Sequence, residues 1–101
     1  MWLFAMFDLP TYNKARRRDY SRFRHRLLEQ GFSMIQYSVY ARYCASEEYA
    51  ASIRADVKTM LPPEGEVRLL AVTDRQFGRM EMFFGKKRKP TEEPPRQIML
   101  F

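Results

Sequence analysis

The most strongly apolar stretch of the chain is its first, where seven consecutive apolar residues run from Met1 to Phe7. Such a run has no polar position to turn toward water, which predicts a strand buried on both faces in the middle of a sheet. The run ends at Asp8, and Pro10 cannot donate to a sheet ladder, so the strand stops there. The pattern therefore places Asp8 at the carboxyl edge of a central strand.

Two later segments carry apolar residues at the three- and four-residue spacings of helices with one buried side. The first covers residues 12–30 and stops at Gly31. The second begins with Ser46 as its cap and ends before Pro62. The side chains predicted to be buried are Tyr20, Phe23, Leu27 and Leu28 in the first helix and Tyr49, Ile53, Val57 and Met60 in the second.

Two further segments have the composition of strands. Residues 32–44 are rich in β-branched and aromatic side chains, which predicts either one bent strand or two short strands joined by a tight turn at residues 36–38. Residues 67–73 are apolar apart from Arg68 and predict another strand buried on both faces. Residues 74–80 indicate a turn or a short helical piece.

The last part of the chain alternates between apolar and strongly polar segments. Met82, Phe83 and Phe84 form an apolar patch typical of a surface that a partner covers. Residues 85–95 are basic and then proline-rich, which predicts a linker, and residues 96–101 close with four apolar side chains. Because a free apolar end would promote aggregation, we predict that it adds as a strand to the sheet edge of a second subunit.

The predicted elements follow in the order strand, helix, one or two strands, helix, strand and terminal strand. Two helices on one face of a sheet with a central first strand form the ferredoxin-like α+β arrangement. We therefore predict a ferredoxin-like βαββαβ domain over residues 1–84, a linker over residues 85–95, and a C-terminal strand over residues 96–101 that is exchanged in a homodimer. Since this fold hosts many functions, it does not identify one.

Composition restricts the class of protein. Hydrophobic residues make up 46% of the chain, too many for a disordered protein, and the one cysteine, Cys44, cannot alone form a disulfide or a zinc site. The chain shows no signal-peptide pattern and no apolar run near the ~18 residues that a membrane helix needs, so we expect a cytoplasmic protein without membrane association. Its net charge of +6 favours a nucleic-acid partner.

The cations concentrate on the first predicted helix. A basic ridge away from the apolar stripe consists of Lys14, Arg18, Arg22 and Arg26, with Arg16 and Arg17 on its shoulder. Helix dipoles favour anions in the first turns, and like charges four apart repel, so this ridge costs some stability. That cost fits contact with phosphates better than it fits folding. A secondary candidate is the basic segment Lys86, Lys87 and Arg88, for which a solvated connection is equally consistent.

Asp8 has two interpretations from its position alone. Its carboxylate could accept hydrogen bonds from the backbone of the following turn, a common task for Asp beside a strand end. It could equally be an oxygen ligand for Mg²⁺ at a site that cuts a phosphodiester or holds a nucleic acid. The hydrophobic pattern leaves both interpretations open.

Five short motifs, taken in order, carry a family resemblance. They are Phe-Asp-Leu-Pro at residues 7–10, Gly-Phe at 31–32, Gln-Tyr-Ser-Val-Tyr at 36–40, Leu-Ala-Val-Thr at 70–73 and Gln-Phe-Gly-Arg-Met at 76–80. With the basic first helix, they resemble the smaller of the two core CRISPR adaptation proteins, known as the CRISPR-associated endoribonuclease family. The motif at residues 76–80 is most similar to members from type II systems.

The resemblance implies a homodimer of ferredoxin-like subunits with an exchanged terminal strand. It also implies that this dimer binds duplex DNA between two dimers of the larger adaptation protein, the CRISPR integrase, during spacer acquisition. Several members of that family are metal-dependent nucleases of RNA or DNA, which makes Asp8 the implied catalytic residue and Mg²⁺ ligand. Ser38 is implied as a secondary site residue. The arginines of the first helix resemble the family only in forming a basic helix, not residue by residue.

Metal-assisted cleavage usually needs two or more carboxylates around the cation. No other acid in the sequence obviously joins Asp8, so we predict that a two-fold axis near the strand ends supplies a second Asp8. Mg²⁺ or Mn²⁺ would then bind weakly at the dimer axis. The residues predicted to contact partner proteins are Met82, Phe83, Phe84, Ile98 and Leu100.

Two alternative functions remain beside the DNA-binding scaffold. One is a stand-alone, toxin-like metal-dependent ribonuclease that acts on single-stranded RNA. The other is an RNA-binding module on the same fold. Such modules read bases with aromatic side chains on the sheet, and residues 67–73 contain none, which argues against this second alternative.

Overall fold

A computed structural model of the protein describes residues 1–95. The C-terminal strand predicted for residues 96–101, with the contacts expected of Ile98 and Leu100, lies outside the described residues. The elements in chain order are β1 (Trp2–Asp8), α1 (Lys14–Glu29), β2 (Ser33–Gln36), β3 (Val39–Tyr43), α2 (Glu47–Lys58), β4 (Glu66–Val72), α3 (Asp74–Gly78), β5 (Met82–Phe84) and β6 (Lys87–Lys89).

The main sheet has four strands in the order β2-β3-β1-β4, and every neighbouring pair is antiparallel. This order confirms the predicted ferredoxin-like α+β arrangement and the central position of β1. Residues 32–44 are two strands joined by a tight turn, in which Ser38 has a positive φ of 62°. The Ser38 carbonyl accepts a hydrogen bond from the Phe7 amide at 3.1 Å, which ties this turn to the end of β1.

Both long helices pack on one face of the sheet, which we call the covered face. Leu3, Ala5 and Phe7 of β1 point into a core completed chiefly by side chains of α1 and α2. The helical residues in that core include Phe23, Leu27, Ala50, Ile53 and Val57. Within residues 1–95, no helix has the length and apolar character needed to cross a bilayer.

Two residues assigned to the buried stripes are exposed instead. Leu28 and Tyr49 lie at the margins of α1 and α2, and each keeps more than a third of its surface in water. Tyr49 uses its exposed position to accept a hydrogen bond from Arg42 Nη2 at 3.0 Å, and the Arg42 guanidinium also lies 4.8 Å from its ring centroid. The buried stripe of each helix is therefore narrower than the spacing of its apolar residues predicted.

The opposite face of the sheet, which we call the open face, carries neither of the two long helices. At one end, Trp2 stacks on Phe77 of α3 with ring centroids 4.1 Å apart. Away from that contact the apolar side chains are only partly covered, and Leu70 is 49% exposed. The prediction that the fourth strand is buried on both faces was therefore wrong, because β4 is an edge strand of the described sheet with one uncovered face.

A small hairpin follows α3 and forms a second sheet, in which β5 pairs with β6 in antiparallel register. The hydrophobic pattern does not predict it: β6 falls inside the stretch expected to be a linker. Phe83 and Phe84 are 56% and 74% exposed, as the apolar patch suggested. Lys89 Nζ lies 4.7 Å from the Phe84 ring centroid, so cations of β6 flank the aromatic side chains of β5.

Candidate metal and nucleic-acid site

An open groove of about 260 Å³ lies at the carboxyl end of β1. We call it the Asp8 groove. Its lining residues are Met6, Phe7, Asp8, Tyr37, Ser38, Val39, Glu66 and Arg68. The groove therefore brings together two sequence candidates, Asp8 and Ser38, with three polar side chains that sequence reasoning did not assign to the site.

Glu66 is the first of those missed residues. The antiparallel register of β1 and β4 pairs Asp8 directly with Glu66, so both carboxylates belong to the same face of the sheet. Strand alternation from Phe4 through Met6 places that pair on the open face. Both side chains are exposed. The sequence contains the signal, an acid at the start of a strand, but only the register between distant strands connects it to Asp8.

A glycine allows the backbone before β4 to approach β1 closely. Gly65 has a φ of +94°, in the region that favours glycine. A Cβ at this position would lie 2.7 Å from the Asp8 carbonyl oxygen and 3.0 Å from the Leu9 Cα. Because those atoms are backbone, they cannot move aside as a flexible side chain would. Gly65 thus fixes the approach that sets Glu66 opposite Asp8.

The same loop is bound to the start of α1 by a polar network. The Tyr12 hydroxyl donates to Glu64 Oε1 at 2.9 Å, and Arg16 Nη1 donates to Glu64 Oε2 at 2.5 Å. Arg16 Nη2 also lies 3.2 Å from Asp19 Oδ2. The hydrogen bond to Glu64, together with desolvation and the Glu64 charge, raises the pKa of Tyr12 above its ordinary value. The network holds the segment before Glu66 in place.

The turn between β2 and β3 closes the other side of the groove. Tyr20 of α1 lies beside this turn, where burial raises the pKa of Tyr20 above its ordinary value and the neighbouring Tyr37 hydroxyl is the next cause. The turn itself has Ser38 in the left-handed region, and the hydrogen bond from the Phe7 amide to the Ser38 carbonyl anchors it to the end of β1. Tyr37 remains exposed beside Asp8.

The donor set of the groove suits a hard divalent cation bound with few protein ligands. Within residues 1–95, no group of three or more His, Cys, Asp and Glu side chains could surround a metal ion. Two carboxylates are nevertheless what Mg²⁺ commonly uses, because it retains several waters and completes its shell with substrate phosphates. Asp8 and Glu66 therefore fit a water-rich Mg²⁺ or Mn²⁺ site.

The basic ridge lies elsewhere in the molecule, on the outer side of α1. Lys14, Arg18, Arg22 and Arg26 are exposed, and none has an ion-pair partner within residues 1–95. Arg22 and Arg26 also line a hollow of about 140 Å³ beside the segment after α2. These four side chains are placed to contact a polyanion, and they lie on a helix of the covered face, whereas Asp8 and Glu66 belong to the open face.

The two shoulder arginines differ from the ridge. Arg16 is only 19% exposed and is engaged by Glu64 and Asp19, so its charge is largely used within the chain. Arg17 Nη1 donates to the Thr11 carbonyl at 3.2 Å and remains exposed. Of the secondary candidates, Lys86, Lys87 and Arg88 are exposed on the small hairpin, with Arg88 Nη1 3.9 Å from Glu81 Oε2.

Comparison with known proteins agrees with this architecture. The family model described as CRISPR associated protein Cas2 matches residues 1–80. Two similar relatives, both named CRISPR-associated endoribonuclease Cas2, come from Parvibaculum lavamentivorans, 52% identical over all of both chains, and Flavobacterium psychrophilum, 44% identical over all of this chain and 88% of the relative.

Among solved structures, the crystal structure of Streptococcus pyogenes Cas2 at pH 6.5 is similar in fold. It superposes with a TM-score of 0.60 at 15% sequence identity, and the match covers 83% of this chain and all of that one. That identity is low enough for the likeness to concern the fold alone. Together with the family model and the full-length relatives, it leads to one conclusion: the chain belongs to the Cas2 family of CRISPR-associated proteins.

Proposed function

We propose that this protein is a metal-dependent endonuclease that cleaves phosphodiester bonds of RNA or DNA at the Asp8 groove. The observation that carries the proposal is the pair of exposed carboxylates, Asp8 and Glu66, opposed across β1 and β4 in an open groove. The name of the relatives, CRISPR-associated endoribonuclease, supports RNA as the first substrate to test.

Two groove residues and the glycine beside them have definable tasks in that reaction. Asp8 and Glu66 supply the carboxylate oxygens that hold Mg²⁺ or Mn²⁺, and Gly65 keeps the two strands close enough for both to contribute. A bound Mg²⁺ would supply Lewis acidity and lower the pKa of a coordinated water. A second Asp8 across a two-fold axis is a further source of carboxylate, because an isologous interface repeats each group across itself.

The test is the substitution Asp8→Asn, which removes the charge and keeps the shape. Cleavage of a single-stranded RNA in Mg²⁺ should fall by at least about a hundredfold, because the metal loses a ligand whose charge it requires. Asp56→Asn is the matched control, since Asp56 is an exposed carboxylate on α2, away from the groove. Wild-type cleavage that persists in EDTA, or equal cleavage by Asp8→Asn, would contradict the proposal.

We further propose that the protein works as a homodimeric scaffold that binds duplex DNA and joins the CRISPR integrase for spacer acquisition in the cytoplasm. A second copy is supported as the cover of the open face, because Leu70 on that face, with Phe83 and Phe84 on the small hairpin, exposes apolar surface that a lone small domain rarely leaves in water. The exposed ridge supports duplex contact through phosphates without base readout. Exchange of the segment 96–101 would complete the dimer.

Mass measurements test this second role. Light scattering should give twice the mass of one 12.2 kDa chain for the protein alone, and a larger complex after addition of the integrase and a short duplex. A single-chain mass at high concentration would contradict the scaffold. A dimer that cleaves RNA but never joins the integrase and duplex would instead favour the stand-alone ribonuclease, and RNA binding without any metal-dependent cleavage would favour the RNA-binding module.

A further inference from the structure

The Asp8 groove poses an electrostatic problem for its own substrate. Two carboxylates opposite each other repel the phosphate that has to approach them; a divalent ion balances their two charges and leaves the charge of the phosphate itself uncompensated. The basic ridge belongs to α1, which packs on the covered face, whereas the carboxylate pair belongs to the open face. A phosphodiester bound at Asp8 therefore needs a cation on the open face.

Arg68 is the one cation that lines the groove in the described part of the chain. The register of β1 and β4 pairs Arg68 with Met6 and pairs Glu66 with Asp8. The two pairs are separated by two residues along each strand, so they lie on the same side of the sheet. All four side chains therefore share the open face. Arg68 therefore lies next to the carboxylate pair on the same face of the sheet.

The contacts of Arg68 leave its charge available to a ligand. Its Nε and Nη2 atoms both lie 3.5 Å from Glu66 Oε1, at the outer limit of a hydrogen bond. The Arg68 side chain is 74% exposed and that of Glu66 is 65% exposed, so solvent screens this ion pair. Arg68 forms no ion pair with any other residue among residues 1–95, and its planar guanidinium is suited to a bidentate bond with a phosphate.

We propose that Arg68 binds the phosphate of the nucleic-acid strand held in the Asp8 groove. The inference rests on the proposed metal-dependent nuclease and adds the residue that holds its substrate. The chemical class of the ligand is a phosphodiester of a single strand, because the groove is small, about 260 Å³, and Arg68 is the one cation among the described residues that line it. Binding to Arg68 exchanges the screened contact with Glu66 for a contact with phosphate, and Glu66 then keeps its oxygens for the metal.

The experiment uses a probe too short to reach the ridge from the groove. Dithymidine monophosphate has one phosphodiester, and Mn²⁺ bound near Asp8 increases the relaxation rate of its ³¹P signal above the rate measured with free Mn²⁺ alone when that phosphate lies beside the bound metal. Titration of the dinucleotide gives its half-saturating concentration, and electron paramagnetic resonance of free Mn²⁺ gives the metal affinity separately. Neither measurement depends on catalysis.

The variants are Arg68→Gln and Arg68→Lys, with Arg75→Gln as the matched control. Arg75 is an exposed arginine on α3, at the Trp2 end of the sheet. We expect Arg68→Gln to raise the half-saturating concentration about tenfold, the usual effect of losing a charge-assisted hydrogen bond. Arg68→Lys should recover part of the loss, and Arg75→Gln should match wild type. Since Arg68 is exposed, these changes leave the core intact.

The outcomes separate this inference from the function on which it rests. Equal dinucleotide binding by Arg68→Gln and Arg75→Gln would overturn the role of Arg68 while leaving the metal site in place. A weaker Mn²⁺ affinity with unchanged dinucleotide binding would assign Arg68 to holding Glu66 and would also overturn it. If wild type shows no more Mn²⁺-dependent relaxation than Asp8→Asn, the metal site itself fails, and the role of Arg68 fails with it.

Discussion

The two faces of the sheet are built from the same strands but differ in what they leave in water. On the covered face, Leu3 and Ala5 are fully buried under α1 and α2. On the open face, the end near Phe77 is packed, whereas large apolar side chains such as Leu70 remain half exposed elsewhere. One face completes a core within the chain, and the other is left for partners, metal and substrate.

This difference separates folding from function in the molecule. Residues of the covered face are expected to determine the free energy of unfolding, since hydrophobic burial is the largest favourable contribution to folding. Asp8, Glu66 and Arg68 of the Asp8 groove and the four residues of the basic ridge are exposed, so their substitution should change binding and cleavage with little effect on stability. Four variants, taken from the largest expected effect to the smallest, test that separation.

The largest effect is expected from truncating an aromatic side chain on the covered face. Phe23→Ala should lower the free energy of unfolding by about 3–5 kcal/mol, because Phe23 is buried against Phe7 and its removal leaves a cavity. Phe83→Ala is the control on the exposed hairpin and should change it by less than about 1 kcal/mol. Urea denaturation at one low protein concentration measures both. Equal losses would show that burial on the covered face does not determine the free energy of unfolding.

The next effect concerns the backbone that joins the two strands of the groove. Gly65→Ala should cost about 1–3 kcal/mol of stability, because alanine is strained at this positive φ and its Cβ meets the Asp8 carbonyl. Gly78→Ala is the matched control, since a Cβ there meets no atom of the described chain within 4 Å. Mn²⁺ affinity should fall with Gly65→Ala as Glu66 shifts relative to Asp8. An unchanged affinity would mean that the metal site does not depend on this approach.

A smaller effect is expected at the basic ridge. The double variant Arg18→Gln/Arg22→Gln should weaken duplex binding and reduce its log-log salt slope by about 0.9 for each phosphate that the variant no longer neutralises. The control Arg75→Gln/Arg79→Gln removes the same amount of charge from two exposed arginines, one in α3 and one directly after it. This control should keep most of the wild-type salt slope. Fluorescence anisotropy at several salt concentrations gives the slopes. If the ridge variant keeps the wild-type slope, the ridge faces only water.

The smallest effect is expected from the network that holds the loop before β4. Tyr12→Phe removes the hydrogen bond to Glu64 and should lower the melting temperature slightly. Because the folded-state pKa of Tyr12 is raised, its contribution is fully present below the ordinary tyrosine pKa and is lost as pH rises through the raised value. The difference between wild type and variant should therefore be constant at neutral pH and shrink at strongly alkaline pH. A difference that grows with pH would contradict this assignment.

Local patterns were sufficient to predict most of the fold. The apolar run before Asp8 identified the central strand, and the helical spacing of Phe23 and Leu27 identified the side of α1 that is buried. Ser46 caps α2 as predicted, with its hydroxyl accepting a hydrogen bond from the Tyr49 amide. These features depend on neighbours within a few residues, which is the range over which capping and periodicity act.

The candidate site was only half predictable, because its other half depends on distant pairs. Glu66 and Arg68 join Asp8 through the register of two strands that are far apart in the chain and adjacent in the sheet. Arg16 was grouped with the cations expected to contact phosphate, yet its guanidinium forms an ion pair with Glu64, 48 residues away in the chain. The hairpin β5 and β6 was missed because its basic strand has the composition of a linker. No window of neighbouring residues contains these relations.

The most direct test of the account compares two activities of the same variants. RNA cleavage and duplex affinity should be measured side by side for Asp8→Asn and for Arg18→Gln/Arg22→Gln. Two separate surfaces predict opposite results: Asp8→Asn loses cleavage and keeps duplex affinity, whereas the arginine variant loses duplex affinity and still cleaves a short RNA. If either variant loses both activities while its fold is intact, the two surfaces act as one site and the account is contradicted.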